Sequence, residues 1–324
     1  MKNIAITMGD PGGVGPEIIV KALYCAEIRE YCNPLVIGSA DVLYEAVKLT
    51  GLPLKIRPIP GLSASQPEIG TIEVLDIRSR SSFKKNVPSK SAGRAFVKYI
   101  KRAVDLAMTK EIDAIVTAPI SKESLKMAGY PWPGHTELLA ELTDSDGYAM
   151  MFVSEKLKVI LCTIHIPLKD VPKTINKKLV YETILLAETG ARMLGLDRPR
   201  IAVAGLNPHA GESGIMGTED IKSITPTVGK ARSAGLSVSG PYPPDVVFHK
   251  AYNGEFDIVV SMYHDQGLVP FKMIAFDTGV NVTVGLPLVR TSPDHGTAFD
   301  IAWENMADPS SMLEAIKLAS KLKL

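Results

Sequence analysis

The sequence has little of what would commit it to several large classes of protein. Its charges almost cancel, 36 basic against 35 acidic side chains for a formal net charge of +1. It therefore lacks the field that gathers nucleic acid or an anionic membrane surface. Neither is expected as a partner, and any anion must be gripped by a few placed cations. Cysteine is scarce: Cys25, Cys32 and Cys162 form no C-x-x-C pair and cannot all be bridged within one chain. Cys25 and Cys32 are expected on one helix, too far around and along it for an easy disulfide. Reduced thiols suit the cytoplasm. No stretch approaches the ~20 apolar residues of a membrane helix. The opening MKNIAITMGD lacks the long apolar core and small-residue cleavage site of a signal peptide. Internal repeats, low-complexity tracts and charge blocks are missing too.

What is present is ordinary for a globular enzyme. With 324 residues, 46% hydrophobic and 22% charged, the chain can build one large α/β domain or two moderate ones sharing a cleft. Short apolar runs alternate with longer amphipathic ones, the pattern of a largely parallel sheet covered by helices. Strands are expected at 3–7, 34–37, 72–75, 114–117, 159–162, 201–204, 258–261 and 281–284. A helix should begin near Ser91, where Phe96, Ile100, Ala103, Val104 and Ala107 recur at helical spacing opposite Lys98, Lys101, Arg102 and Asp105. Others are expected over 176–194 and 311–322. Residues 51–53, 58–67 and 129–134 read as loops, the last as a hinge between subdomains.

Three strand-like segments each run into a histidine. KVILCTIH ends at His165, RIAVAGLNPH at His209 and DIVVSMYH at His264. Carboxyl ends of parallel strands lie along one sheet edge, where open α/β folds bind ligands. Neutral imidazole is a good ligand for zinc, cobalt or manganese, and three protein ligands leave positions open for substrate. Magnesium can serve where substrate oxygens finish the shell. Near the start, Met8–Gly9–Asp10–Pro11–Gly12–Gly13–Val14–Gly15–Pro16–Glu17 follows the first strand and opens a helix, yet is neither G-x-G-x-x-G nor a Walker A loop. Its glycines permit a tight turn with close backbone approach.

Near the other end stands Asp294–His295–Gly296–Thr297–Ala298–Phe299–Asp300–Ile301–Ala302. Together with the glycine-rich start, in which Gly12 and Gly13 are the candidate cofactor contacts, this segment resembles the β-decarboxylating dehydrogenases, the isocitrate and isopropylmalate dehydrogenase superfamily. The resemblance implies that His295, Gly296, Asp300 and Ile301 hold the adenosine of NAD. A carboxylate at 300 accepts hydrogen bonds from a ribose diol and repels a 2′-phosphate. Phe299 stands where proline is usual, and Pro11–Gly12 lengthens the first loop.

A closer resemblance spans nearly the whole chain in order. Gly134–His135–Thr136–Glu137, residues 163–168, Gly205–Leu206–Asn207–Pro208–His209–Ala210–Gly211–Glu212, Met262–Tyr263–His264–Asp265–Gln266–Gly267, residues 279–283 and Arg290–Thr291–Ser292 are similar to the 4-hydroxythreonine-4-phosphate dehydrogenase family. That resemblance implies a homodimer of two-domain α/β/α subunits, isocitrate/isopropylmalate dehydrogenase-like, with active sites in the interdomain cleft lined by both subunits. The expected division is 1–130 plus 275–324 on the cofactor side and 131–274 for metal, substrate and dimerisation. By the same resemblance the metal ligands are His165, His209 and His264, and the substrate residues are His135, Thr136, Lys272, Asn281 and Arg290. Asp245 and Lys272 are the candidates for handling the hydroxyl proton, and residue type does not decide between them.

The implied reaction is NAD- and metal-dependent oxidation of the secondary hydroxyl of a small phosphorylated hydroxy acid, 4-phosphohydroxy-L-threonine, followed by decarboxylation to 3-amino-2-oxopropyl phosphate in pyridoxal phosphate biosynthesis. Paralogues acting on D-threonate or D-erythronate 4-phosphate, or on carboxylated cis-diols, share the histidine trio. Residues 240–245 and 276–279 look closer to the sugar-acid paralogues. A non-catalytic metabolite-binding protein on the same fold is the alternative of a different class.

Overall fold

The computed structural model describes residues 1–77 and 83–324. Strands β1 (Lys2–Thr7), β2 (Cys32–Gly38), β3 (Lys55–Ile59), β4 (Thr71–Asp76) and β5 (Ala114–Thr117) come first. They are followed by β6 (Ala149–Val153), β7 (Lys158–Leu161), β8 (Ile201–Ala204) and β9 (Val238–Tyr242). The last are β10 (Ile258–Ser261), β11 (Val280–Val284) and β12 (Val289–Pro293). The chain divides into two compact units, Met1–Asp146 with Leu286–Lys321, and Gly147–Gly285 with Leu322–Leu324.

In the first unit the strand order is β3-β4-β2-β1-β5-β12, every pair parallel. In the second it is β11-β6-β7-β10-β8-β9, antiparallel around β6 and parallel from β7 onward. The mostly parallel α/β class is the one expected. Apolar runs buried on both faces, such as AIVT in β5 and IVVS in β10, are what made it legible.

Of the strands that pattern alone did not reveal, β3, β6, β9 and β12, two were obscured by proline. β3 carries Pro58 and β9 carries Pro241, and each strand ends the order in its unit, where a missing N–H costs little. Pro58 therefore belongs to a strand and not to the expected loop. Cys25 and Cys32 do not share a helix: Gly15–Tyr24 stops before Cys25, and Cys32 pairs with Lys2 at the start of β2. All three thiols are free, and burial pushes Cys32 and Cys162 up to about 12, leaving them protonated at neutral pH.

The expected hinge is also displaced. Residues 129–134 lie inside the first unit, where the Tyr130 and Trp132 rings stack at 5.1 Å and the Trp132 indole N–H donates to Glu141 at 2.6 Å. The following helix, His135–Leu142, packs on Lys90–Met108, so it stays with that unit. The boundaries fall at 146/147 and 285/286 instead of the expected 130/131 and 274/275. His135 and Thr136 thus belong to the first unit.

Helix Lys90–Met108 is capped by Ser89, whose hydroxyl accepts from Ala92 N–H, and it buries Phe96, Ile100, Ala103 and Val104 as the periodicity requires. Gly93 on that helix meets the Ser124 carbonyl so closely that no Cβ fits. Asn176 caps Lys177–Met193 in the same way through Lys178 and Leu179 N–H. In the second unit, Leu268, Phe271 and Ala275 seat helix His264–Ala275 on a core of Val159, Leu161, Ala202 and Val259. Phe271 meets Phe152 edge-on at 5.8 Å.

Candidate functional site

β10 pairs in parallel with β7 on one side and β8 on the other, so the three histidine-bearing segments leave one edge of the sheet. Side chains and backbone stitch these ends together. Cys162 N–H and Thr163 N–H donate to the Ser261 and Met262 carbonyls, and the Thr163 hydroxyl donates to Met262 O at 2.7 Å. The buried Gln266 amide does the most: its oxygen accepts from Met262 N–H at 2.7 Å and from the Ser261 hydroxyl at 3.0 Å. Its NH2 donates to Gly205 O at 2.7 Å, joining the end of β10 to the end of β8.

His264 opens its helix directly after this junction, and its ring centroid lies 5.7 Å from that of His165. With metal–nitrogen bonds near 2.1 Å, two imidazoles on one tetrahedral ion place their centroids roughly 5 to 6 Å apart. The pair therefore fits a shared divalent cation. His264 Nδ1 donates to Asp265 Oδ1 at 2.7 Å, which fixes the tautomer and leaves Nε2 as the nitrogen that could hold a metal.

His209 is held differently. Residues His209–Ser213 all take left-handed backbone angles, with φ 54° at His209, 53° at Ala210, 38° at Glu212 and 58° at Ser213. Left-handed geometry costs about 1 kcal/mol or more per non-glycine residue, and such strain persists only where surroundings enforce it. Asp220, fully buried, supplies the enforcement by accepting from Leu206 N–H, Asn207 N–H and Asn207 Nδ2. His209 itself is exposed, its Nδ1 3.4 Å from Glu212 Oε2. Among the described residues, no three His, Cys, Asp or Glu side chains of one chain gather as a metal-holding group. One chain therefore brings together His165 and His264 but does not add His209 to them.

The remaining residues of this unit are spread over three elements. Asp245 is exposed in the first turn of Pro244–Tyr252, a helix that packs against the His209 loop. Lys272 lies near the end of the helix that His264 begins, its ammonium 5.6 Å from the Phe276 ring centre. Asn281 is buried on β11, and its Oδ1 has no hydrogen-bond partner.

In the first unit, His135 and Thr136 start a helix after Gly134, and Arg290 is buried on β12. Burial, reinforced by the Arg290 charge, holds His135 well below the ordinary imidazole range, so its ring is neutral. His135 Nε2 is buried without a partner, an orphan that a ligand oxygen would satisfy. Burial lowers Arg290 to about 10, with Glu137 opposing the shift, so the guanidinium keeps its charge at neutral pH.

The two cofactor-side segments also meet in this unit. Val14 N–H donates to Thr297 O, and the Trp303 indole N–H donates to Pro11 O. Buried Asp10 accepts from Gly12 N–H and the Ser124 hydroxyl, and burial raises its carboxyl above the usual range. The close approaches at Gly12 and Gly13 are to the Lys84 carbonyl and to Thr297, so these glycines serve packing of the chain on itself. His295, Gly296 and Asp300 are exposed on the adjoining loop, with Ile301 half-buried beside them.

Residue type alone did not mark Gln266, Asp265, Asp220 or Thr117, which hold the candidate ligands in place. Gln266 and Asp265 sit in the quoted His-Asp-Gln-Gly run and could have been suspected. Asp220 and Thr117 carry no local signal.

With this arrangement in view, known proteins place the chain. The model of the pyridoxal phosphate biosynthetic protein PdxA family matches residues 30–319. The chain belongs to this family. It is 47% identical over 320 residues to a 4-hydroxythreonine-4-phosphate dehydrogenase of Desulforapulum autotrophicum, covering 98% of this chain and 94% of that protein. It is 45% identical over 326 residues to a D-threonate 4-phosphate dehydrogenase of Pectobacterium atrosepticum, covering 99% of each. A crystal structure of the 4-hydroxythreonine-4-phosphate dehydrogenase of Klebsiella pneumoniae matches with a TM-score of 0.91 at 44% identity, covering 98% of both chains. The expected family and the expected class, a dehydrogenase acting on CH–OH, both stand.

The geometry carries two expectations. Asp220→Ala should release the left-handed loop, lowering stability by about 2 kcal/mol in urea unfolding and loosening metal retention; full metal retention would dissociate Asp220 from the metal site. His135 titrates near 6.5 when unfolded and lower when folded. The unfolded chain then binds the extra proton, so its contribution to stability is present above about pH 6.5 and lost as pH falls. Replacing His135 by Gln should flatten the stability difference between about pH 8 and about pH 5, read by denaturant titration at both.

Proposed function

We propose that this protein catalyses the NAD-dependent oxidation of 4-phosphohydroxy-L-threonine at its secondary hydroxyl, followed by decarboxylation to 3-amino-2-oxopropyl phosphate. The observation that carries the reading is the His165–His264 pair, held at metal-sharing distance on stitched strand ends in a chain of this family. D-threonate 4-phosphate is the second reading, favoured by a relative of that name at 45% identity.

The two imidazoles would hold a divalent ion, zinc, magnesium, cobalt or manganese, which when bound lowers the pKa of the substrate hydroxyl and stabilises charge on that oxygen as carbon dioxide leaves. NAD, when bound, would supply the hydride acceptor. The exposed loop of His295, Gly296, Asp300 and Ile301 would take its adenosine, with Asp300 accepting from the ribose diol and disfavouring a 2′-phosphate.

The chain's own groups have distinct tasks. Arg290 gives a carboxylate or phosphate a charged, buried donor, stronger there than in water. Neutral His135 and Thr136 add hydrogen bonds without a second charge, and Asn281 offers an unsatisfied buried oxygen to a substrate donor. Lys272 and Asp245 are the groups available to neutralise the substrate and to move its hydroxyl proton. Oxidation leaves a ketone β to the carboxylate, and loss of carbon dioxide places the released electron pair where a proton is then added.

The enzyme would act in the cytoplasm as a homodimer. Leu168, Ile215, Met273 and Phe276 are large apolar side chains exposed on the second unit, a pattern that suits burial against a second copy. His209, exposed on its strained loop, would complete the histidine trio across that interface. No described helix is long and apolar enough to cross a membrane.

Co-expressing His165→Ala and His209→Ala chains tests both metal and dimer. Each variant alone should lose turnover and metal, whereas the mixed dimer regains one intact site. Recovery of nothing, with mixed dimers formed, would overturn the sharing of one ligand set between two chains. Lys272→Ala should keep the metal while losing activity. Comparing kcat/KM for 4-phosphohydroxy-L-threonine and D-threonate 4-phosphate separates the two substrates, and the larger value names the natural one.

A further inference from the structure

Arg290 and Thr117 meet on neighbouring strands of the first unit. β12 pairs with β5 in parallel, with Arg290 opposite Ile115, so the side chains of Arg290, Ile115 and Thr117 fall on one face of the sheet. There the single Thr117 hydroxyl oxygen accepts from Arg290 Nη2 at 2.7 Å and from Nε at 3.2 Å. Both residues are buried, Thr117 completely and Arg290 at 2% exposure.

The chemistry of this partner matters. Guanidinium groups in protein interiors are commonly gripped along an edge by a carboxylate, which fixes the plane and also cancels the charge. Here the edge formed by Nε and Nη2 rests on a neutral oxygen. A hydroxyl can fix the plane while leaving the positive charge to act on something else. Threonine is well suited, because its branched Cβ restricts χ1 and the strand end holds its backbone. Glu137 is the carboxylate that favours the charged form of Arg290, and the ring of His135 beside it is uncharged.

We propose that Thr117 is a positioning residue: it sets the plane of the Arg290 guanidinium for the anionic group of the substrate without neutralising it. The inference rests on the reading of Arg290 as a substrate-binding residue, and the test separates the two. Substrate affinity is measured as the Kd for 4-phosphohydroxy-L-threonine without NAD, alongside KM, kcat and the thermal midpoint.

Thr117→Val keeps the shape and removes the acceptor. It should weaken substrate binding about tenfold, the size of one lost hydrogen bond to a charged group, with kcat within about threefold. Thr117→Ser should stay within about threefold of the parent, since the acceptor returns with more rotamer freedom. Arg290→Lys should itself weaken binding, and adding Thr117→Val to it should cost little more, because the guanidinium edge is already gone. Should Thr117→Val fail to fold, Thr117→Ala carries the same expectation.

Weak binding in Arg290→Lys with unchanged binding in Thr117→Val would overturn the role of Thr117 and leave that of Arg290 standing. An equal loss from Thr117→Val in both backgrounds would also overturn it, since that pattern marks a general structural effect. Unchanged binding in Arg290→Lys would instead overturn the assignment of Arg290.

Discussion

The side-chain amide of Gln266 joins two parallel strand ends that carry candidate metal ligands, and much of the site's order follows from that junction. Its oxygen takes Met262 N–H and the Ser261 hydroxyl at the end of β10, while its NH2 reaches Gly205 at the end of β8. The bonds from Cys162 and Thr163 extend the seam to β7. Parallel strands expose unpaired backbone groups where they end, and unsatisfied groups in a buried place are costly. Satisfying them with one buried amide leaves little slack in the backbone from which His165 and His264 depart. Phe271 and Leu268 press the following helix onto the same core, so apolar packing and polar stitching constrain the same pair of rings.

The two units apply different electrostatic strategies to their functional groups. In the second unit, His264 donates its Nδ1 proton to the carboxylate of Asp265, which fixes the orientation of the ring. In the first, His135 is kept neutral by burial beside a cation, and Arg290 is oriented by a hydroxyl. The hydroxyl fixes the guanidinium edge without adding a charge of its own, while Glu137 favours the charged form of Arg290. Balanced charge over the whole molecule makes such local placement necessary, since no long-range field draws an anionic substrate in.

Strain is concentrated where His209 stands. Successive left-handed residues are rare for side chains with a Cβ, and here they are held by the buried Asp220 carboxylate and by Asn207. The strained turn projects His209 away from its own unit's core instead of folding it back toward β10. That geometry leaves His209 exposed, on the same loop region as the exposed apolar Ile215.

The order of residues along the chain determined a good deal unaided. Short, mostly apolar runs in β5, β8 and β10 declared a parallel sheet, because strands covered on both faces lack the alternation of half-exposed ones. Strand-then-histidine repeats placed three imidazoles at one edge, since parallel strands share a direction. The helix Lys90–Met108 was visible from its 3.6-residue period, while its Ser89 cap emerged only in the structure. Edge strands with Pro58 and Pro241 were not, because their prolines are permitted only by a position in the sheet that no local pattern encodes. The unit boundary was displaced for a similar reason: glycine and proline at 129–134 signal a turn, while packing of the next helix decides on which side the turn belongs. Thr117, Asp220 and Gln266 show the same limit at the site. Each is an ordinary polar residue whose importance lies in a partner far away in sequence, and only the register of strands and the seating of helices bring the two together.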